Sequence, residues 1–459
     1  MTARAVFSRI EGRSALTAAA IVGLLLSELA LVLLATAHNW GFVANGMFAF
    51  RSGIAWPFAH LASSLPHSHT FLKTAAVVLL GGMVASYLLL LAIRDVSARW
   101  ALVALTIAYS LVVLSPQLIS KDAYLYLTYA RLGAVHHLNP YATPPIALGG
   151  SLLHYVAWKH QLSPYGALFT LSTYPLGLVS LPAGLWLLKL ATVAAALGCL
   201  ALVWKCAALL GFQPAYSALV VGLNPLFLIY GVAGSHNDLL MMLLVMTGIY
   251  FALTQRQRLS GATAVLGIGV KAAAAPIAPF LLLISHDRLR IRRATLAAAV
   301  MAAGLVALSL LIFGSHILGV TQQANTITRY SVPRLLSLPF GLHSTNACDR
   351  HPLACHSTVL TIVPTVVLGL IVLLLLAWVL RGGDAITAAG WAAIALVVSL
   401  TSVQPWYFVW VLPLVALSRS RRLHIAAGCL AGYLLLTAWP VTKLLLSPTS
   451  HLLYRHLPK

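Results

Sequence analysis

Acidic residues are scarce in this chain, with eight Asp and Glu against 29 Lys and Arg in 459 residues and a net charge of +21. Charge of either sign is thin: charged residues make up 8% of the sequence and hydrophobic ones 60%, with a mean hydropathy of +0.92. That excludes a soluble globular protein, which could not hide so much apolar surface. No polar interval exceeds about 60 residues, short of an ordinary soluble domain. Acid pairs at DxD spacing and histidine pairs at HxxxH spacing are missing, which removes two common metal-ligand patterns, so no metal or other cofactor is expected. The basic residues are scattered through short loops, which argues against a nucleic-acid partner. Only five cysteines occur. Cys199, Cys206 and Cys429 lie in apolar runs and read as inert core residues. Cys348 and Cys355 share the polar loop CDRHPLAC, where a disulfide would imply an oxidising face; a metal site with His351 and His356 is the other reading.

What the chain has is a succession of apolar runs. They define an all-α, polytopic integral membrane protein with about 11–13 transmembrane helices in a single domain over 1–459. Spans are expected at about 15–37, 71–93, 100–119, 183–210, 215–233, 239–254, 294–313, 358–380, 385–402, 405–417 and 423–440. The first contains Glu28, explicable as the partner of a buried cation, and lacks a small-residue cleavage site. It therefore reads as a retained helix. Long loops fall at about 38–70, 120–181 and 314–357. The middle one is amphipathic, which suits short helices lying at the interface.

The interval 260–285 is flanked on both sides by arginines, Arg256 and Arg258 before it and Arg288 to Arg293 after it. One crossing would put one cluster outside, against the positive-inside rule. A broken hairpin turning near Lys271 keeps both inside, giving thirteen crossings with the N-terminus in and the C-terminus out. Sixteen of the 29 basic residues then lie inside, and the outer face has only Asp122, Asp238 and Asp349 to balance the rest. A cationic exterior points to anionic ligands such as phosphate; adaptation to a particular lipid surface would explain it too.

The stretch SKDAYLYLTYARLGAVHHLNPYATPP follows the third span and concentrates polar groups. Its lone acid, Asp122, stands among Tyr124, Tyr126, Arg131, His136, His137, Asn139 and Tyr141. A carboxylate at a membrane face can serve as a general base, and tyrosines can bind sugars or headgroups. It could equally cap a helix or pair with a cation. His236, Asn237 and Asp238 form the outer turn between spans five and six, where Asp238 is placed to cap the next helix or to complete a pocket. Lys271 at membrane depth is a functional candidate by default, with snorkelling to the surface as the bland reading. Arg329 and Arg334 make the late outer loop cationic and suited to phosphate. Gln404, Trp406 and Tyr407 cap the outer end of a short span as belt anchors or site residues.

Four segments together carry a family resemblance: DAYLYLTYARLGAVHHLNPY, NPLFLIYGVAGSHNDLLMMLLV, GVKAAAAPIAPFLL and QPWYFVWVLPLVAL. In these the chain resembles the polyprenol-phosphate-mannose-dependent α-1,6-mannosyltransferases of actinobacteria, within the GT-C superfamily. The resemblance implies inverting transfer of a sugar, mannose by analogy, from a polyprenyl-phosphate donor to an extracytoplasmic glycan or glycolipid acceptor. It implies a bacterial cytoplasmic membrane protein, bathed by membrane lipids, with its active site on the outer face. Asp122 matches the family's loop acid and general base, His236–Asp238 its HND turn and Lys271 its VK motif, both facing donor phosphate or acceptor sugar. Ser120 and Tyr124 stand where a DxD would place a second acid. A secondary transporter or lipid flippase is the rival class, since it too can use a broken helix and intramembrane ions; the missing internal repeat counts against it. A noncatalytic scaffold would not need Lys271.

Overall fold

The computed structural model describes residues 3–37, 66, 68–94, 96–318, 327–340 and 358–442. Cys348, Cys355 and most of the first and last long loops lie outside the described residues. Within them the regular secondary structure is all helical, with no strand. Long apolar helices are what an interior without water demands, because each satisfies its own backbone groups.

Helices α1 (Ala3–Ala37) and α2 (His69–Ile93) pack as a pair. Small residues let their backbones approach: a Cβ on Gly23 would lie 2.8 Å from the Ser86 hydroxyl, and one on Gly82 2.9 Å from that of Ser27. Glu28 is buried in α1 with neither carboxylate oxygen hydrogen-bonded. Among the described residues no cation pairs with it, against the expectation from sequence. Helix α3 (Ala98–Leu114) ends at Ser115, and Pro116 forbids its continuation. Helices α4 (Asp122–Ala134) and α5 (Ala167–Gly177) follow, separated by short 3₁₀ turns; neither is long enough to cross a membrane.

The centre of the molecule is built from α6 (Leu181–Leu209), α7 (Pro214–Gly222), a π-helical segment Leu226–Val232, and α8 (Asp238–Leu253). Asn224-Pro225 bends α7 away from the π segment by 53°. Helix α9 (Gln257–Val270) stops at Lys271, whose backbone is extended (φ −153°, ψ 128°), and the chain resumes in the one-turn helix α10 (Ala278–Leu282). The interval 260–285 is therefore broken at Lys271. Helix α11 (Arg288–Phe313) starts on an Asp287 cap, whose carboxylate accepts the Arg290 N–H at 2.9 Å. The last third comprises α12 (Val332–Ser337), α13 (Thr358–Leu380), α14 (Ala385–Ser399), a 3₁₀ segment Pro405–Trp410, α15 (Leu412–Ala416) and α16 (Arg421–Thr437).

Among the described residues five helices are long and apolar enough to span a bilayer, or six if the bent pair is one span; four further apolar helices have 10–17 residues. The fold is all-α and polytopic. The figure of eleven to thirteen crossings counts these shorter and broken helices as well. The breaks lie at Pro225, Lys271 and Pro405, and the last two flank the same polar region.

Candidate active site

Three chain segments meet around the turn Gly234–Asp238. The link from 115 to 121 is fastened to it by Gln117, whose Nε2 donates to the Gly234 carbonyl (2.7 Å) and whose Oε1 accepts from the Ser235 hydroxyl (2.9 Å). The Leu118 N–H donates to the Ala233 carbonyl at 3.3 Å. Both loops carry a residue in the left-handed region, Ile119 (φ 64°) and Ser235 (φ 54°). A β-branched residue there costs on the order of 1–3 kcal/mol, so these rungs must hold it.

Asp122 opens α4. Its N–H donates to the Ser120 hydroxyl at 3.1 Å, and the helix N-terminus favours its negative charge. Its side chain is 20% exposed, and Oδ2 lies 3.5 Å from Nδ1 of His236, which is completely buried. That is too long for a formed hydrogen bond, and both His236 ring nitrogens are buried without a hydrogen-bond partner among the described residues. The ring itself is fixed by stacking on Trp406, with centroids 3.9 Å apart and planes 16° apart. The result is a solvent-accessible carboxylate backed by an oriented imidazole.

Asp238 is fully buried. Its Oδ1 accepts from Lys271 Nζ (2.8 Å) and from the Trp410 indole N–H (2.6 Å). Capping is not its role: neither Asn237 nor Asp238 makes a side-chain cap to α8. Lys271 is 18% exposed and does not snorkel. Its ammonium sits 5.2 Å from the Tyr407 ring and 5.4 Å from that of Trp410, which stack on each other at 4.3 Å, a partly open cation–π contact. Tyr126 spans the two acids: its hydroxyl donates to Asn237 Oδ1 at 3.4 Å. Burial, then the negative charges of Asp122 and Asp238, push that hydroxyl's pKa well up. Asp122 and Asp238 thus face one region from two sides of the turn.

Other sequence candidates lie elsewhere or do structural work. Arg131 donates to the Val179 carbonyl (3.0 Å). Asn139 donates to the Phe313 carbonyl (2.7 Å) and accepts the Tyr141 N–H (3.0 Å), while the Tyr141 hydroxyl bonds the Tyr165 carbonyl. His136 and His137 are exposed. Tyr124 is buried against Tyr155, its hydroxyl without a hydrogen-bond partner among the described residues. Arg329 is exposed over Tyr330 and Arg334 is buried. Their segment is hooked to the approach to Gln404, the Thr328 hydroxyl accepting the Val403 N–H at 3.1 Å. Gln404 is half-buried and caps nothing with its side chain.

Sequence reasoning missed two residues of this framework. Lys189 is buried in α6 and donates to the Ser115 carbonyl, to the Ser115 hydroxyl (3.1 Å) and to the Pro116 carbonyl (3.0 Å). It thereby ties α6 to the strut that carries Asp122. A lone lysine within an apolar run was the signal. Trp410 stands in the same aromatic segment as Trp406 and Tyr407, and its one-turn spacing from Trp406 was legible. Among the described residues no group of three or more His, Cys, Asp or Glu side chains converges.

A sequence model described as "Alpha-(1->6)-mannopyranosyltransferase, N-terminal domain" matches residues 30–287, more than half of the chain. The chain belongs to this family. A second model, "MptB C-terminal domain", matches residues 351–455. The α-(1→6)-mannopyranosyltransferase A of Mycobacterium tuberculosis is 31% identical over 356 residues, covering 71% of this chain and 66% of that protein. The match thus takes in slightly less than two thirds of the relative's length. No solved structure matches the chain. The family's N-terminal model includes Asp122, the His236–Asp238 turn and Lys271, so the charged core of the site lies inside it, whereas Trp406, Tyr407 and Trp410 fall under the second model.

Proposed function

We propose that the protein is a mannosyltransferase that moves mannose, with inversion, from a polyprenyl-phosphate donor to the hydroxyl of a glycan or glycolipid acceptor at the outer face of a bacterial cytoplasmic membrane. Family membership and the relative's name support mannosyl transfer. The observation that carries the chemistry is the partly open Asp122 carboxylate beside buried His236, on the turn that also anchors Lys271 to Asp238.

The acceptor hydroxyl attacks the anomeric carbon while Asp122 takes its proton. The bond from that carbon to the phosphate oxygen breaks, and the departing lipid phosphate carries the electron pair away. His236, fixed by its stack on Trp406, shields one side of Asp122. Lys271 spends one donor on Asp238, which leaves two N–H groups for phosphate oxygens. Trp406, which stacks one face on His236, offers an aromatic surface for a sugar ring. Phosphate charge is met in this reading by side-chain cations and not by a divalent metal.

Purified protein supplied with radiolabelled polyprenyl-phosphate mannose and an oligomannoside acceptor tests the reading. It expects labelled product with the anomeric configuration inverted, unchanged by a chelator. Transfer only from a glucose or arabinose donor would refute the mannose assignment. Absence of transfer from all three would refute the enzyme class.

A further inference from the structure

Helices α3 and α6 diverge enough to leave a groove of about 720 Å³ between them, floored by Ala218 of α7. Its walls are almost wholly apolar, with Leu105, Tyr109, Leu197 and Leu200 among them, and Lys205 lines one end. Arg99 precedes Leu102 by three residues, which puts it on the same face of α3 at that end. Both cations are exposed; the Lys205 ammonium rests 5.7 Å from the Tyr250 ring. Trp204 lines the groove at this level, as indoles do where headgroups begin.

This end is opposite the active site. Asp122 follows the C-terminus of α3, and seventeen helical residues separate the two ends by about 25 Å. The nearby loops gather on the same face: Gln213 donates to the Val96 carbonyl at 2.6 Å, and Arg419 to the Leu210 carbonyl at 3.0 Å. Arg421 and Arg422 follow directly and are exposed. The face is cationic where the groove opens and apolar where it runs into the membrane.

We propose that the groove binds an acyl chain of an anionic phospholipid whose phosphate lies between Arg99 and Lys205. Charge complementarity selects this occupant. A zwitterionic lipid would bring its own cation against this ring of arginines, and a free phosphate would leave the apolar walls uncovered. The upper end of the groove reaches Leu114, the residue before Ser115, which Lys189 holds. A bound chain therefore packs against the base of the strut that carries Asp122. The inference does not depend on the reaction proposed above.

The test is native mass spectrometry of the detergent-purified protein titrated with phosphatidylglycerol and, separately, phosphatidylcholine of identical tails. Wild type is expected to retain phosphatidylglycerol about tenfold more strongly, given two basic groups at the headgroup level. Arg99→Gln with Lys205→Gln is expected to erase the preference, and Ala201→Phe, which fills the groove, to lower retention of both lipids. Thermal melting verifies that each variant is folded. Equal retention of the two lipids by wild type would overturn the proposal without reference to any variant. A preference that survives the double substitution in folded protein would overturn the assigned headgroup site, and unaltered retention in folded Ala201→Phe would overturn the assigned groove.

Discussion

Lys271 Nζ lies 2.8 Å from Oδ1 of Asp238, and the Trp410 indole N–H reaches the same oxygen at 2.6 Å. One buried carboxylate thus fixes both the cation at the break of α9 and the aromatic segment that walls it. Removing one partner strands a charge. Lys271→Met is expected to destabilise the protein by about 3–5 kcal/mol, seen as a lowered melting temperature in detergent, and to cut sugar transfer by at least about a hundredfold. Combining it with Asp238→Asn should recover most of the stability and none of the activity. Recovery of both would make the pair purely structural.

Lys189 acts at a distance through Ser115 and Pro116. Lys189→Met leaves buried carbonyls unpaired, at about 1–3 kcal/mol, and lets the strut before Asp122 shift. Small displacements of a catalytic group cost on the order of a hundredfold, so kcat should fall by about 10- to 100-fold while KM for the donor changes little. A rise in KM at constant kcat would instead place Lys189 in donor binding.

Gly166 sits where no side chain fits. Its N–H donates to the Val270 carbonyl at 3.1 Å, and a Cβ there would run into the Gly269 carbonyl. Gly166→Ala should push the α9 break apart and destabilise by about 1–3 kcal/mol, with a loss of transfer. Gly304→Ala, where a Cβ meets nothing within 4 Å among the described residues, is the control and should leave activity unaltered.

Tyr126 and Tyr165 are buried, and burial raises both hydroxyl pKa values, with the charge of Asp122 adding to each. The folded value lies above the unfolded one of about 10. Their contribution to stability is therefore complete below about pH 10 and is lost as pH rises toward the folded value. The melting temperature should fall above about pH 10, less steeply in Tyr126→Phe with Tyr165→Phe. Equal slopes would contradict this.

The break at Lys271 was legible because two basic flanks cannot share one crossing with the positive-inside rule. The meeting of Asp122 with His236 was not, since it depends on Gln117 bridging two loops more than a hundred residues apart. Asn139, Tyr141 and Arg131 read as site residues because a polar side chain bonding a backbone carbonyl and one awaiting a ligand look alike in sequence. Lys189 and Trp410 carried a signal, but a long apolar run and a belt-like aromatic segment each offered a simpler reading. The pairing of small residues between α1 and α2 was invisible for the opposite reason: Gly and Ser occur widely, and only the helix approach singles out Gly23 and Gly82.

The proposed mechanism turns on Asp122 as the group that takes the acceptor proton. The direct measurement is transfer from radiolabelled polyprenyl-phosphate mannose by wild type and Asp122→Asn, at equal melting temperature, with donor binding measured in parallel. The Asn variant is expected to bind donor within about threefold of wild type and to lose transfer by about 10²–10⁴-fold, the range for loss of a general base. Transfer at wild-type rate by a folded Asp122→Asn protein would contradict it.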